Sequence, residues 1–186
     1  MLEHERSREY MNDSEGQRLE TKRLVLRFAA LADAQAIFDA YASDPEATRY
    51  LVFKTLTDVG QAADFIERTV REREEGKSVT WVIVLRDTRQ VIGAIDLRAD
   101  GSIGYAIGRP WWGVGYVPEA ARAVLDFART HLGVNRVTGI CDYENSRSAR
   151  VFEKLGFRSL GLKERAVVHP SFGPEPRAVL LFERDL

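Results

Sequence analysis

Two short stretches carry residue types at spacings from which chemistry could be built. The first runs Trp112-Gly-Val-Gly-Tyr-Val-Pro-Glu119, inside a longer segment that opens at Ile103. A strand pattern leads through Gly113 and Gly115 into a helical pattern whose first turn holds Pro118. Proline suits a first turn, where a missing N–H costs nothing. Val117 stands where Ser, Thr, Asp or Asn would cap, so the amide donors and positive dipole end of the helix are left open. Two readings follow: a seat for an anion such as a phosphate, or a tight turn whose amides meet water. The common nucleotide motifs fail. There is no Gly-Lys-Ser/Thr for a P-loop, and Pro118 occupies the last glycine of GxGxxG. The second stretch is Asp142–Phe157, with Asn145, Ser148 and Phe152. Taken alone, Asn145 caps a short helix and Ser148 sits in its first turn.

Other reactive side chains read more plainly. Cys141 is the single cysteine and lies in a strand pattern, which makes it a core residue rather than a nucleophile. His4, His131 and His169 have no ligand spacing, so no metal is expected. Trp111 and Trp112 read as packing residues. Tyr50 and Phe53 fall in a loop that could line an acceptor pocket. Asp96 ends a strand and either faces a cleft or is solvated. The charges of Arg71–Glu75 form a solvated helix face.

These residues need a scaffold, and the patterns supply one. Leu24–Phe28 reads as a strand. Asp33 then precedes a helical pattern through Tyr41, which Asp44-Pro45 stops. A second helix runs from about Asp58 to Glu75. Strands follow over Thr80–Leu85, Val91–Leu97 and, after the Asp100-Gly101 turn, Ser102–Ile107. The Gly113/Gly115 segment opens a long helix, striped by Ala121, Val124, Leu125, Ala128 and Leu132, that Gly133 closes. Arg136–Cys141 lacks polar alternation and reads as a strand buried on both faces. The short helix ends at Gly156, and strands near Phe157–Leu160 and Ala178–Glu183 flank a Pro/Gly loop. The whole is one α/β (α+β) domain over residues 19–186, with residues 1–18 as a flexible leader.

Composition sets the bounds. The 186 residues are 45% apolar and 30% charged, with 27 Lys+Arg against 28 Asp+Glu. That is ordinary globular composition. A net charge of -1 gives no electrostatic reason to expect nucleic acid or an anionic membrane. No apolar run approaches the roughly 18 residues of a membrane span, and MLEHERSREYMNDSEGQ has no apolar signal region. A cytoplasmic protein is the expectation.

Together, the two stretches resemble the GCN5-related N-acetyltransferase (GNAT) superfamily. Its Q/R-x-x-G-x-G/A signature lies over Trp112-Gly113-Val114-Gly115-Tyr116-Val117, with Trp and Val departing from it. The form WWGVGY and the run Asn145-x-x-Ser148 followed by EKLGF resemble the RimJ/RimL-like ribosomal-protein N-acetyltransferases. The resemblance covers Leu19 to the C-terminus. It implies a central mixed, splayed sheet with helices on both faces, and acetyl-CoA as cosubstrate. It implies that Gly113, Val114, Gly115, Tyr116 and Val117 offer backbone amides to the pyrophosphate. It places Ile107 at the strand residue that pairs with pantetheine and polarises the thioester carbonyl, and Asn145 on the pantetheine side. Many relatives carry a proton-donating Tyr seven residues after the Asn. Here that position is Phe152, which cannot donate. RimJ/RimL-like members use the Ser three after the Asn, here Ser148. The general base is open between Glu164, His169, Asp96 and water.

The implied activity is acetyl transfer from acetyl-CoA to a primary amine, a peptide N-terminus or a small molecule, by direct attack. An α-amine is about a tenth neutral at pH 7, and a lysine well under about a thousandth. A site without an identified base therefore favours the α-amine. The alternative is a non-catalytic acyl-CoA-binding or regulatory domain on the same scaffold. The family often forms homodimers.

Overall fold

The alternation of β-branched and aliphatic residues along the first strands sends two sets of side chains to opposite faces of a sheet. Leu24, Leu26, Trp81, Ile83, Ile95 and Leu97 belong to one buried cluster, while Val25, Val82, Val84 and Ala94 belong to a second. A strand apolar on both sides must be covered on both sides. The computed structural model, which describes residues 18–186, shows the covers.

The strands are β1 (Arg18–Glu20), β2 (Leu24–Phe28), β3 (Ser78–Leu85), β4 (Val91–Arg98), β5 (Ile103–Ile107), β6 (Arg136–Asp142), β7 (Arg158–Val168) and β8 (Pro176–Asp185). The helices are α1 (Ala34–Ile37, continued by a π-helical turn over Phe38–Ala42), α2 (Pro45–Thr48), α3 (Val59–Glu74), α4 (Tyr116–His131) and α5 (Ser146–Lys154). On the first face, α4 buries Ala120, Ala121, Val124, Leu125 and Ala128 against the sheet, around Trp81 and Phe127. On the second, α1 and α3 supply Ile37, Tyr41, Ala62 and Ile66.

Pairing is antiparallel throughout two sheets, β1-β2-β3-β4-β5 and β6-β8-β7. The mixed character expected of the sheet comes down to one parallel bridge, Ser102↔Thr138, closed by Thr138 N–H donating to the Gly101 carbonyl at 3.0 Å. Beyond that bridge no described ladder joins β5 to β6. The two strands start side by side and part, which is the expected splay.

Several expectations need correcting. Arg18, placed in the expected leader, pairs with Arg27 as part of β1. The remainder of the expected leader lies outside the described residues. Asp44-Pro45 does not only end α1. The Asp44 side chain accepts the Glu46 N–H at 2.9 Å, and Pro45 opens α2. α4 begins at Tyr116 with Gly115 as its N-cap, so Pro118 is its third residue rather than its first. β6 is not buried on both faces. α5 covers one side, but it lies at the edge of its sheet and Ile140 on the other side is 48% exposed.

Candidate active site

The opening of α4 is built by its glycines. Gly113 and Gly115 have φ of +76° and +90°, a region that side chains with a Cβ rarely enter. The space where a Cβ would stand is open at Gly113, and at Gly115 the nearest atom is Arg23 Nη2 at 3.7 Å. These glycines are therefore required by the backbone path, and they leave the approach to the amides clear. Gly115, rather than the expected Val117, is the N-cap of α4, and no side chain caps the helix. Gly113 and Val114 are exposed, Gly115 and Tyr116 half-buried, and the Val117 side chain is anchored in the core.

This turn is held from behind by residues the sequence reading did not single out. Glu119 accepts from Thr21 Oγ1 at 2.6 Å, from the Arg23 amide at 2.8 Å and from Arg23 Nε at 2.7 Å. Burial would raise the Glu119 carboxyl, but these donors bring it below its ordinary value. Arg23 also donates to the Val114 carbonyl at 3.3 Å, and its guanidinium lies 4.4 Å over the Tyr116 ring. A cation thus stands beside the same amides that open the helix.

Ile107 lies at the end of β5, next to the gap between the sheets. The Gly108 N–H donates to the Ile92 carbonyl on β4 at 3.0 Å. In that peptide the Ile107 carbonyl must point the other way, into the gap, and in an extended strand its own N–H points with it. Trp112 Nε1 donates to this carbonyl at 2.8 Å, while Arg147 lies over the Trp112 ring at 4.7 Å. The packing reading of Trp112 holds, and its ring also pins the loop to β5.

Across the gap, Asn145 caps α5 by accepting the Ser148 N–H at 3.1 Å. That fixes the start of the helix and turns the Ser148 side chain toward β5. Ser148 Oγ lies 2.6 Å from the hydroxyl of Tyr105 and beside the Cys141 thiol. Burial pushes that thiol up to about 11, the Ser148 contact opposes this, and the neighbouring Asp142 charge adds to it. Cys141 is therefore a protonated core residue, as its strand position implies. Tyr105 was missed because nothing in the sequence joins it to Ser148, 43 residues away. The available signal was its place two residues before Ile107, which gives both residues the same strand parity.

Phe152 is 1% exposed and stacks on Phe182 with ring centroids 4.8 Å apart. A Cβ built on Gly139 would overlap Cε1 and Cζ of this ring, so one edge of the ring packs directly against the β6 backbone. The residue is a core member. Of the candidates for a base, Glu164 is exposed on β7. Asp96 lies beside Gly104 and 3.4 Å from Arg98; burial raises its carboxyl most, with Arg98 opposing. His169 is buried, with Nδ1 3.4 Å from the Leu51 carbonyl and Nε2 3.6 Å from Asp142 Oδ2. Both of its ring nitrogens face protein. Tyr50 stacks near Phe172 at 5.5 Å, and Phe53 lies 6.3 Å from Phe65 in the second core. Among the described residues no cluster of His, Cys, Asp or Glu is placed to hold a metal, and no helix is long and apolar enough to cross a membrane.

The family model described as an acetyltransferase (GNAT) domain matches residues 23–158. The chain belongs to the GNAT acetyltransferase family. An uncharacterised N-acetyltransferase, p20 of Bacillus licheniformis, is 35% identical over 150 residues, which are 77% of this chain and 84% of that protein. YoaA of Bacillus subtilis (strain 168), also an uncharacterised N-acetyltransferase, is 32% identical over 150 residues, with the same coverage of 77% and 84%. Among solved structures, RimL, the ribosomal L7/L12 alpha-N-protein acetyltransferase in complex with coenzyme A, superposes with a TM-score of 0.81. It covers 91% of this chain and 98% of its own at 15% identity, a likeness of fold. This GNAT domain is an acetyl-CoA-dependent acyltransferase.

Proposed function

We propose that this GNAT enzyme transfers the acetyl group of acetyl-CoA to a primary amine, with a peptide N-terminal α-amine as the favoured class. The observation that supports this reading is how Trp112 joins the three parts: it adjoins Gly113, its Nε1 donates to the Ile107 carbonyl, and Arg147, the neighbour of Ser148, lies over its ring. The amides of Gly113, Val114, Gly115, Tyr116 and Val117 hold the pyrophosphate, with Arg23 adding charge. The Ile107 N–H meets the oxygen of the thioester as it takes on negative charge. Asn145 braces α5, and its amide nitrogen is available toward pantetheine. The neutral amine attacks, the C–S bond breaks, and Ser148 gives its proton to the leaving sulfur. RimL, an α-N-protein acetyltransferase of the same fold, supports the α-amine class, as does the ease of deprotonating such an amine.

The test is release of CoA from acetyl-CoA with a panel of N-terminal peptides, lysine peptides and small amines. Turnover greatest with peptides bearing a free N-terminus supports the reading. Thermal stabilisation by acetyl-CoA, about 2.7 kcal/mol at 100 times Kd, without turnover on any amine would instead favour a non-catalytic acyl-CoA-binding domain.

A further inference from the structure

We propose that Tyr105 on β5 is the positioning residue for Ser148, donating its hydroxyl proton to Ser148 Oγ and so aiming the Ser148 proton at the departing sulfur. This rests on the acetyltransferase reading above. The geometry begins at the Ser102↔Thr138 bridge. Tyr105 and Cys141 each stand three residues past it, about 10 Å along strands that are parting. Ser148 reaches across at that level. Its oxygen is 2.6 Å from the Tyr105 hydroxyl, and it also contacts the Cys141 thiol.

A serine hydroxyl has one proton and two lone pairs. A phenol is a stronger acid than an aliphatic alcohol, so it is the better donor of the two. Burial also pushes the Tyr105 phenol above its ordinary value, against a smaller opposing effect from Ser148, which keeps its proton in place. With one lone pair of Ser148 filled by Tyr105, its own proton must point elsewhere. The Cys141 thiol, itself protonated, is only a weak acceptor. A thiolate leaving into the gap is a far stronger one.

The same arrangement explains how the chain manages with phenylalanine at position 152. The Phe152 ring is committed to the core, one edge against Gly139 and its face on Phe182. Tyr105, whose ring lies 6.1 Å from that of Phe152, brings a phenol from the opposite strand instead, through Ser148. Protons balance: the amine nitrogen gives one to solvent water as the amide forms, and the sulfur gains one from Ser148. Ser148 is reprotonated through the Tyr105 hydroxyl, which takes its replacement from solvent.

The experiment is a double-mutant cycle of Tyr105→Phe and Ser148→Ala, read as kcat and KM for acetyl-CoA, with melting temperatures on the same preparations. Ser148→Ala should cut kcat by about 10²–10⁴-fold. Tyr105→Phe should cut kcat by about 10–100-fold at unchanged KM, and the double variant should be no slower than Ser148→Ala alone. Variants that melt lower yet keep kcat within about two-fold would reduce Tyr105 to a structural hydrogen bond and overturn the proposal. Multiplicative losses in the double variant would overturn it too, since Tyr105 would then not act through Ser148. Wild-type protein that binds acetyl-CoA but turns over no amine would instead refute the acetyltransferase reading itself.

Discussion

A single aromatic residue shows how local packing decides which chemistry a relative of this fold can use. At position 152 a tyrosine would add one oxygen to a ring already packed against Gly139 and Phe182. That oxygen would have to enter a site that is 1% exposed. Overpacking of a filled core costs about 1–3 kcal/mol, and an unpartnered hydroxyl adds a similar penalty. Phe152→Tyr should therefore lower stability by about 2–4 kcal/mol. It should not raise turnover, because the new phenol stays on a ring buried in the core. Urea titration and CoA release on one preparation check both. A variant that is as stable as wild type and faster would show that the ring can swing into the gap.

At the scale of elements, the glycines at the two ends of α4 offer a matched comparison. Gly115 and Gly133 have φ of +90° and +62°, and neither has an atom closer than 3.7 Å to where a Cβ would stand. Alanine at either should cost about 1–2 kcal/mol of conformational strain. Only Gly115 borders the amides assigned to the pyrophosphate. Gly115→Ala should shrink the acetyl-CoA-induced rise in melting temperature, while Gly133→Ala should lower the baseline and leave the rise intact. Equal rises in both variants would confine Gly115 to the turn. The need for glycine here was legible in the sequence, as were the strands β2 to β5 and the two long helices, because their signals are local: period, glycine and breaker. What escaped was non-local or masked. β1 has only three residues, Arg18–Glu20, and no period to read. Asp44-Pro45 reads equally as a stop and as a start, and the Asp44 cap decides for both. β7 runs over eleven residues, well past Leu160, but as an exposed edge strand with register breaks it shows no apolar alternation. Ser148 was singled out only by its motif. Tyr105 became visible only when the sheet brought it across the gap.

For the whole molecule, the question is what ties the two sheets together where β5 and β6 have parted. One answer lies at the far end of β6. The Asp142 side chain is fully buried and accepts from Arg177 on β8 at 2.7 and 3.2 Å. It also accepts the Glu144 amide at 3.0 Å, which shapes the turn into α5. His169, 3.6 Å from Asp142, reaches the Leu51 carbonyl in the loop after α2, in the half of the chain that builds the first sheet. Arg177 in turn lies 3.9 Å over the Phe172 ring, which meets Tyr50 of the same loop. One buried carboxylate is thus the hub between the ends of both halves, beside the loops that frame the gap. Burial by itself would raise the Asp142 carboxyl, but Arg177, the Glu144 amide and the nearby charges hold it below its ordinary value. A carboxyl lowered on folding contributes stability that is present above its unfolded pKa, about 4, and lost as pH falls toward the folded value. Removing Arg177 strands the charge. Breaking a buried pair costs about 3–5 kcal/mol, and because the Arg177 side chain keeps 20% exposure we expect somewhat less, about 2–4 kcal/mol, for Arg177→Met at pH 7. The loss should shrink as pH is lowered through 5 toward 3, since the carboxyl then takes up a proton and no longer needs a partner. Asp142→Asn in the Arg177→Met background should recover part of the loss at pH 7, by removing the charge while keeping the contact to the Glu144 amide. Melting temperatures across pH for the three proteins decide it. A penalty for Arg177→Met that stays constant with pH would mean that the arginine acts through its stacking on Phe172, and that the carboxylate is not the hub.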